Sequence, residues 1–244
     1  MKKIVILGAT SSMIQPLLRM MARDGKELLL VGRSQERLET VRSDLLARGS
    51  PQAVTFQADF DESLDMVLAF AEQYFPDFDT LLLSYGTMLD QGVCQVDPEC
   101  ALRELQTNFV SVVVLLTAFA KYFESRGRGT IAVITSVAGD RGRRSNYVYG
   151  SAKGGLSIFL QGLRSRMHSH GVRVLTIKPG PVASAMTANL QRVAMIASRE
   201  TVARDIYRAL ERPASDIIYT PRRWRWIMAA VQLIPERVFK RLSI

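Results

Sequence analysis

Apolar strand-like segments alternate with longer helical segments along the whole chain, and this alternation is what most constrains the fold. Runs rich in Val, Ile and Leu recur at 3–7, 27–31, 53–57, 80–84, 130–135, 172–178 and 216–219. Between them, helical spacing of apolar residues predicts helices at 12–23, 35–47, 63–74, 98–123, 147–168 and 199–210. Strands of this kind, alternating with helices, form a parallel sheet that is covered on both faces. The sequence therefore predicts an α/β, doubly wound domain with a seven-stranded parallel sheet flanked by helices.

The bulk composition predicts one globular domain rather than a secreted or membrane-spanning protein. The chain has 244 residues, of which 48% are hydrophobic and 23% charged, enough to bury a full core. The first apolar run ends at Gly8, and residues 110–120 fall short of the roughly 20 that a membrane span needs. Cys94 and Cys100 match neither a metal spacing nor a disulfide framework, which predicts no metal site, no disulfide and a reducing, cytoplasmic location.

The first predicted strand ends in a turn that could bind a pyrophosphate. Backbone amides at such a turn, together with the positive end of the following helix, favour an anion, as in Rossmann-type domains. Only Gly8 of the three expected glycines is present, because Ser12 and Ile14 stand at the other two positions. A tight strand-to-helix turn without a ligand is the alternative. The candidate cofactor residues here are Gly8, Thr10, Ser11, Ser12 and Met13.

The end of the second strand indicates which dinucleotide such a site would take. Enzymes that use NAD usually carry an acid here, which binds the ribose 2′-hydroxyl and would repel a 2′-phosphate. In this chain Arg33 follows Gly32 and the acid is missing. A guanidinium suits a phosphate, so the sequence favours NADP(H) over NAD(H). Alternatively, Arg33 is a solvated residue at the start of a helix.

Three residue types that together suit proton transfer lie between 136 and 153. Tyr149 and Lys153 are four residues apart in a predicted helix, and Ser136 lies thirteen residues before Tyr149 at the end of a strand. Positions i and i+4 of a helix share one face, about 6 Å apart. We expect the Lys153 ammonium to lower the Tyr149 pKa from about 10, and Ser136 to hold a carbonyl oxygen. The same spacing also occurs by chance on helix surfaces.

With these segments in order, the chain resembles the short-chain dehydrogenase/reductase superfamily over nearly its whole length. The resemblance rests on residues 8–14, 59–60, 84–86, Asn108, Ser136, Tyr149 with Lys153, and 179–184. It implies that Asp59 and Phe60 meet the adenine and that Ser84, Tyr85 and Gly86 line the adenosine site. It also implies that the loop containing Pro179, Gly180, Val182 and Ser184 covers the nicotinamide. One departure is Leu83-Ser84-Tyr85-Gly86, where the family usually has Asn-Asn-Ala-Gly.

The resemblance implies hydride transfer from NADPH to a ketone, usually in a homodimer or homotetramer. Ser136 would hydrogen-bond the carbonyl oxygen, and Tyr149 would deliver the proton. Lys153 would bind the nicotinamide ribose and tune Tyr149. Asn108 would anchor a water that links Lys153 to solvent; a core amide that bends the helix is the alternative for this residue.

A closer similarity is to decaprenylphosphoryl-2-keto-pentose reductases, and it implies a lipid-phosphate-linked keto-sugar as substrate. It rests on residues 138–150, 171–175 and 234–242. Within the first stretch, Arg141, Arg143 and Arg144 lie between Ser136 and Tyr149 and would suit a substrate phosphate. A solvated basic loop or an oligomer contact would explain these arginines equally well.

Residues 221–244 form a basic amphipathic tail that follows the domain predicted at 1–220. Six basic residues stand there against the single acid Glu236. Trp224, Ile227, Met228, Val231 and Ile234 follow helical spacing, which predicts peripheral binding to an anionic membrane on its cytoplasmic face. A helix that packs across a dimer interface or over the substrate pocket is the alternative. Nucleic-acid binding is disfavoured because no recognition motif accompanies the charge.

Two other functions remain open at this level. A soluble carbonyl reductase of small ketones would use the same four catalytic residues, with a tail that only assembles subunits. A non-catalytic nucleotide-sensing protein on the same fold would account for the missing glycines, although it would leave the Ser136, Tyr149 and Lys153 pattern unexplained.

Overall fold

The computed structural model describes residues 1–60, 64–184, 195–212 and 214–242. Its strands are β1 (Lys3–Leu7), β2 (Glu27–Gly32), β3 (Ala53–Gln57), β4 (Thr80–Leu83), β5 (Gly129–Ile134), β6 (Val172–Pro179) and β7 (Ile217–Thr220). They form one seven-stranded sheet in the order β3-β2-β1-β4-β5-β6-β7, and every pairing is parallel. The predicted α/β class and doubly wound parallel sheet are confirmed.

The helices cover both faces of this sheet. They are α1 (Gln15–Arg23), α2 (Gln35–Ala47), α3 (Leu64–Tyr74), α4 (Gln91–Cys94), α5 (Pro98–Leu105), α6 (Ser111–Arg126), α7 (Tyr147–His168), α8 (Arg199–Glu211), α9 (Arg223–Leu233) and α10 (Glu236–Phe239). A π-helical turn, Gln106–Val110, joins α5 to α6, and a 3-10 turn, Val137–Gly139, follows β5.

The alternation of side chains along each strand supplies two hydrophobic cores. In β1, Val5 and Leu7 pack with α3, α6 and α7 on one face of the sheet. Ile4 and Ile6 pack with α1, α2 and α8 on the other face. Successive side chains of a strand point to opposite faces, so a strand covered on both sides needs an uninterrupted apolar sequence.

The helix predicted at 98–123 is divided by the π-helical turn. Asn108 lies in this turn and is buried in the protein interior. Taken together, Pro98–Arg126 is long and apolar enough to span a membrane by length and composition, with a mean hydropathy of 1.3 in its most apolar window. Its inner side chains, such as Leu115 and Phe119, are instead buried against the sheet.

The two cysteines are paired, contrary to the sequence prediction. Cys94 ends α4 and Cys100 lies in the first turns of α5, with their Cα atoms 4.9 Å apart in a disulfide. Asp97 caps α5 by accepting a hydrogen bond from the Glu99 amide (3.0 Å), and this turn folds α5 back onto α4. The prediction of no disulfide was therefore wrong. A separation of six residues does not by itself show that the chain turns back between the two cysteines.

The tail packs on its own domain, and its predicted membrane-facing stripe faces inward. Trp224 and Met228 of α9 are buried against Val137, and Ile227 and Val231 pack beside them. The opposite side of the tail exposes other apolar residues, including Trp226, whose exposed fraction is 73%. The helical periodicity was therefore right, but the apolar surface that covers the stripe is the protein itself.

Candidate active site

The candidate site lies at the carboxyl edge of the sheet, where the chain order reverses between β1 and β4. A crevice forms at this position because the chain segments that follow β1 and β4 cross opposite faces of the sheet. Gly8 ends the adjoining strand with a φ of +84°, and a Cβ there would lie 2.6 Å from the Tyr85 backbone nitrogen. Only glycine fits this close approach of two backbones.

The turn after Gly8 is shaped for an anion even without the other two glycines. The Gln15 side-chain amide donates hydrogen bonds to the carbonyls of Ala9 (2.8 Å) and Ser11 (3.0 Å). Ile14 is fully buried in the core between β1 and α1, which explains the apolar residue at a glycine position. α1 begins directly after this turn, at Gln15, and the positive end of its helix dipole favours a phosphate there. These residues fit a dinucleotide.

Two arginines lie beside this turn, of which the sequence predicted only one. Arg33 is exposed at the end of β2. Arg37, in the first turn of α2, donates from Nη2 to the Thr10 carbonyl at 3.1 Å and so lies directly over the turn. Its position four residues after Arg33, near the start of a predicted helix, was the signal that could have identified it.

The residues predicted near adenine and adenosine divide into one exposed acid and several packed side chains. Asp59 is exposed. Phe60 stacks on Tyr85 with ring centroids 4.1 Å apart, and the Tyr85 hydroxyl bonds to Ser111 (3.0 Å). Ser84 donates to the Leu7 and Gly8 carbonyls, both at 3.1 Å. The side chains of Phe60, Ser84 and Tyr85 are therefore used in packing and hydrogen bonding within the protein.

Ser136, Tyr149 and Lys153 meet as predicted. Ser136 follows β5, and its hydroxyl accepts a hydrogen bond from the Ala138 amide (3.1 Å). The Ser136 hydroxyl also lies close enough to the Tyr149 phenol to lower its pKa. Lys153, one turn further along α7, places its Nζ 5.7 Å from the centre of the Tyr149 ring.

Close contact between the 3-10 turn and α7 brings these side chains together. A Cβ at Gly139 would lie 2.5 Å from the Lys153 backbone carbon, and one at Gly150 would lie 2.9 Å from the Ala138 oxygen. Larger residues at these two positions would push the helix away from β5. The glycines thus set the separation between the Ser136 hydroxyl and the Tyr149 phenol.

Asn108 is buried directly behind Lys153. Its side-chain amide donates to the Glu104 carbonyl and to Thr87, each at 3.1 Å, and its Oδ1 accepts from the Thr87 amide (3.3 Å). A Cβ at Gly86 would lie 2.5 Å from this Oδ1 and 3.1 Å from Lys153 Nζ. Gly86 therefore forms the floor of the site, with the Asn108 side-chain amide and the Lys153 ammonium beside it.

Glu104 is a buried acid at this site that the sequence did not reveal. Its side chain is 1% exposed, and Oε2 accepts hydrogen bonds from Thr87 Oγ1 (2.8 Å) and the Leu89 amide (3.1 Å). Its Oε1 has no hydrogen-bond partner within the described part of the chain. Because it lies one helical turn before Asn108, it places a negative charge next to Lys153.

Burial shifts the pKa values of the candidate catalytic side chains in opposite directions. It raises the pKa of Tyr149 to about 12, an effect that the nearby Ser136 hydroxyl opposes and the Glu104 charge supports. It lowers the pKa of Lys153 to about 8, opposed by the same carboxylate. The prediction that Lys153 would lower the Tyr149 pKa was therefore wrong for this structure, because desolvation of the phenolate dominates.

The three arginines of the 141–144 loop have different surroundings. Arg141 donates to carbonyls of the tail, so its guanidinium is not directed to the substrate side as predicted. Burial lowers the pKa of Arg143, whose Nε has no hydrogen-bond partner among the described residues. Arg144 is exposed. The predicted substrate contacts thus reduce to Arg143 and Arg144.

The loop after β6 borders the other side of the crevice. Pro179 ends β6, and the Gly180 amide bonds to the Thr220 carbonyl (3.0 Å). Val182 is buried and forms a bridge with Ala197. Ser184 is the last described residue before 185–194, which lie outside the described residues.

The low pKa of Lys153 makes a testable contribution to stability. Below pH 8 the ammonium is charged in both states, and folding buries it at a cost of about 3 kcal/mol. Between about pH 8 and 10.5 the unfolded chain retains a proton that the folded protein has lost, so stability rises with pH. We expect Lys153→Met to be more stable than wild type in urea unfolding at pH 7, with the difference shrinking towards pH 10.

The control is Lys121→Met, an exposed lysine on α6, whose effect should not vary with pH in this way. A Lys153→Met difference that stays constant from pH 7 to 10 would contradict the buried-charge argument.

Comparison with known proteins agrees with this fold. The short chain dehydrogenase family matches residues 2–194. An "uncharacterized oxidoreductase" of Mycobacterium tuberculosis strain H37Rv is 33% identical, over 98% of this chain and 96% of its own length. A short-chain dehydrogenase from Sphingobium yanoikuyae, solved with NADPH, has a TM-score of 0.83 and 22% identity, covering 97% of each chain.

A second solved structure, a short chain dehydrogenase from Burkholderia cenocepacia in complex with NADP, has a TM-score of 0.78 and 22% identity. It covers 96% of this chain and 98% of its own. The family match extends over most of the chain and includes Ser136, Tyr149 and Lys153. With the strand order and the catalytic geometry described above, it follows that this protein belongs to the short-chain dehydrogenase family.

Proposed function

We propose that this protein is an NADPH-dependent oxidoreductase that reduces a ketone to an alcohol. The observation that carries the proposal is the placement of the Ser136 hydroxyl and the Lys153 ammonium beside the same Tyr149 phenol. A phenol whose pKa is about 12 keeps its proton at neutral pH, and a proton donor in a reduction must do this. The two hydroxyls define one position where a carbonyl oxygen could accept hydrogen bonds from both.

Each residue has a role that follows from its position. When bound, NADPH supplies a hydride to the carbonyl carbon. Ser136 donates a hydrogen bond to the carbonyl oxygen, and Tyr149 transfers its proton to that oxygen as negative charge develops there. Lys153, held between Gly86 and the phenol ring, stabilises the resulting phenolate and binds the ribose. Asn108 and Glu104 hold Lys153 from behind, on the side away from the substrate.

The preference for NADPH over NADH rests on Arg33 and Arg37. Both lie beside the turn after Gly8, where the acid typical of NAD enzymes is missing. Two structural relatives were solved in complex with NADPH and NADP. Their low identity limits that support to the shared fold, so the two guanidinium groups carry the preference.

The substrate class we propose is a lipid-phosphate-linked keto-sugar. Arg143 and Arg144 lie in the loop between Ser136 and Tyr149, and the buried Nε of Arg143 has no partner among the described residues. A substrate phosphate would satisfy this donor and neutralise both charges. A soluble carbonyl reductase of small ketones is the second candidate, and it would use the same catalytic residues without these arginines.

We also propose that the protein is cytoplasmic, with a tail that binds anionic membranes peripherally. Support comes from the outward side of the tail, which exposes Trp226, Leu233 and Val238. The surrounding basic residues are Arg222, Arg223, Arg225, Arg237, Lys240 and Arg241. Exposed apolar side chains within a basic surface suit the headgroup region, which is where a lipid-linked substrate would be found.

We also propose that the protein forms a homodimer or a homotetramer. Support comes from exposed apolar residues on the outer sides of the π-helical turn, α6 and α7, among them Val110, Val114 and Ile158. Apolar residues that share one exposed face favour association between copies of the chain.

Replacing Tyr149 by Phe tests the proton donor. We expect Tyr149→Phe to lower kcat by about 10²- to 10⁴-fold, because the phenol is the acid, while the Kd for NADPH stays nearly unchanged. NADPH oxidation would be measured with lipid-phosphate keto-sugars and simple ketones in parallel, so that the same assay identifies the substrate class. The matched control is Tyr147→Phe, an exposed tyrosine two residues earlier in α7. Near-normal ketone reduction by Tyr149→Phe would exclude this mechanism.

Replacing Arg33 and Arg37 by Ala tests the cofactor preference. Each charge-assisted hydrogen bond to a 2′-phosphate contributes about 1.5–3 kcal/mol, so the Kd for NADPH should rise by about 10-fold or more per arginine. The Kd for NADH should remain nearly the same, since it lacks this phosphate. Arg48→Ala, at the C-terminal end of α2, serves as control. A parallel loss of affinity for both coenzymes would indicate a structural effect instead.

Vesicle sedimentation tests the membrane surface. We expect binding to phosphatidylglycerol vesicles that weakens with salt, and little binding to phosphatidylcholine. Trp226→Ala combined with Leu233→Ala should reduce partitioning by about 10-fold or more, because two apolar contacts are lost. The control pair Val96→Ala and Leu102→Ala removes exposed apolar residues elsewhere. Equal sedimentation of the two double variants would remove the membrane hypothesis.

A further inference from the structure

Asp140 and Arg141, which play no part in the mechanism above, connect the turn after β5 to the tail. Asp140 directly follows the 3-10 turn that begins at Ser136, and its side chain is 2% exposed. Its carboxylate forms an ion pair with Lys178 of β6 and accepts a hydrogen bond from the Tyr219 hydroxyl (2.9 Å). Its backbone carbonyl accepts a hydrogen bond from the Gln232 amide of α9 (3.1 Å).

Arg141 binds the end of α9 and the start of α10 through both terminal nitrogens of its guanidinium. Nη1 donates to the carbonyls of Val231 and Ile234, both at 2.6 Å, and Nη2 donates to Glu236 Oε2 at 3.1 Å. The group also stacks on the Phe239 ring, 3.7 Å from its centre. A cation is favoured here because the last carbonyls of a helix carry partial negative charge.

A third contact joins the tail to both sides of the crevice. Trp224 is buried against Val137, the residue after Ser136, and its indole packs directly on Gly180 in the loop after β6. The tail therefore touches the turn that carries Ser136 and the loop that borders the cofactor crevice.

From these contacts we propose that the tail is an intramolecular clamp that holds Ser136 in position, with Asp140 and Arg141 as positioning residues. Residues 136–141 are packed against α7 on one side by Gly139, as described above. On the other side they contact Lys178 of β6, Tyr219 of β7 and the tail. Short connecting turns without such contacts are mobile, and a misplacement of about 1 Å in a catalytic group can lower the rate by about 10²-fold.

This inference rests on the proposed ketone reduction, because it concerns the position of Ser136 in that reaction. It assigns the inner side of the tail to the protein itself and leaves its outer side free for the membrane surface proposed above. The proposal therefore concerns residues that a membrane would not touch.

The test compares Arg141→Met and Tyr219→Phe with Arg166→Met. The control variant loses the ion pair with Glu124 at the surface, far from the turn after β5. We expect Arg141→Met to lower kcat by about 10- to 100-fold with little change in the Kd for NADPH. Tyr219→Phe, which removes one hydroxyl and should fold normally, should lower kcat in the same direction but less. Arg166→Met should leave kcat unchanged.

Hydrogen exchange supplies a readout that does not depend on turnover. Backbone amides of residues 136–141 should exchange about 10-fold faster in Arg141→Met than in wild type, and at the wild-type rate in Arg166→Met. Unchanged kcat in both test variants would overturn the clamp. A lower kcat without faster exchange at 136–141 would overturn it too, since the loss would not come from this turn.

The controls separate this inference from the proposed function. If the wild-type protein does not reduce any ketone with NADPH, the proposed function itself is wrong, whatever the clamp variants show. If wild type is active and Tyr149→Phe is inactive, but Arg141→Met and Tyr219→Phe are normal, only the clamp is wrong.

Discussion

The close packing of α7 against the turn after β5 is the contact on which the candidate active site depends. Ser136 begins that turn, while Tyr149 and Lys153 lie on the face of α7 that meets it. Gly139 and Gly150 allow the two backbones to approach so closely that a Cβ at either position would collide with its neighbour. The sheet fixes β5 and the hydrophobic core fixes α7, so small changes in either would alter the distance between hydroxyl and phenol.

Burial then determines the charge that each group of the candidate site carries. Lys153 and Glu104 are 3% and 1% exposed, and a charged group at such depth is disfavoured unless a partner compensates for the lost hydration. The Glu104 carboxylate favours the charged form of Lys153, and it disfavours the phenolate of Tyr149. The result is a neutral phenol beside a cation, which suits a proton donor whose product anion must be stabilised at once.

The tail shows how one amphipathic sequence can serve two surfaces. Its inner stripe is buried against Val137 and the loop at Gly180, and its last carbonyls bind Arg141. Its outer side retains Trp226 and most of the basic residues. Helical periodicity identifies the inner stripe and the outer side of the tail. It does not show which part of the protein covers the inner stripe, because the turn after β5 lies about 90 positions earlier in the chain.

Local sequence determined the fold class of this protein and the grouping of Tyr149 with Lys153. Continuous apolar runs, alternating with helical periodicity, are properties of neighbouring residues, and a spacing of four residues brings two side chains together on any helix. Tertiary structure alone decided the partners of Arg141, the inward direction of Trp224 and the pairing of Cys94 with Cys100. It also decided that burial has the largest effect on the Tyr149 pKa. Each of these depends on the packing of segments that are distant in sequence or joined by a turn that the sequence did not predict. A local sequence pattern does not determine how far apart such segments lie in the folded protein.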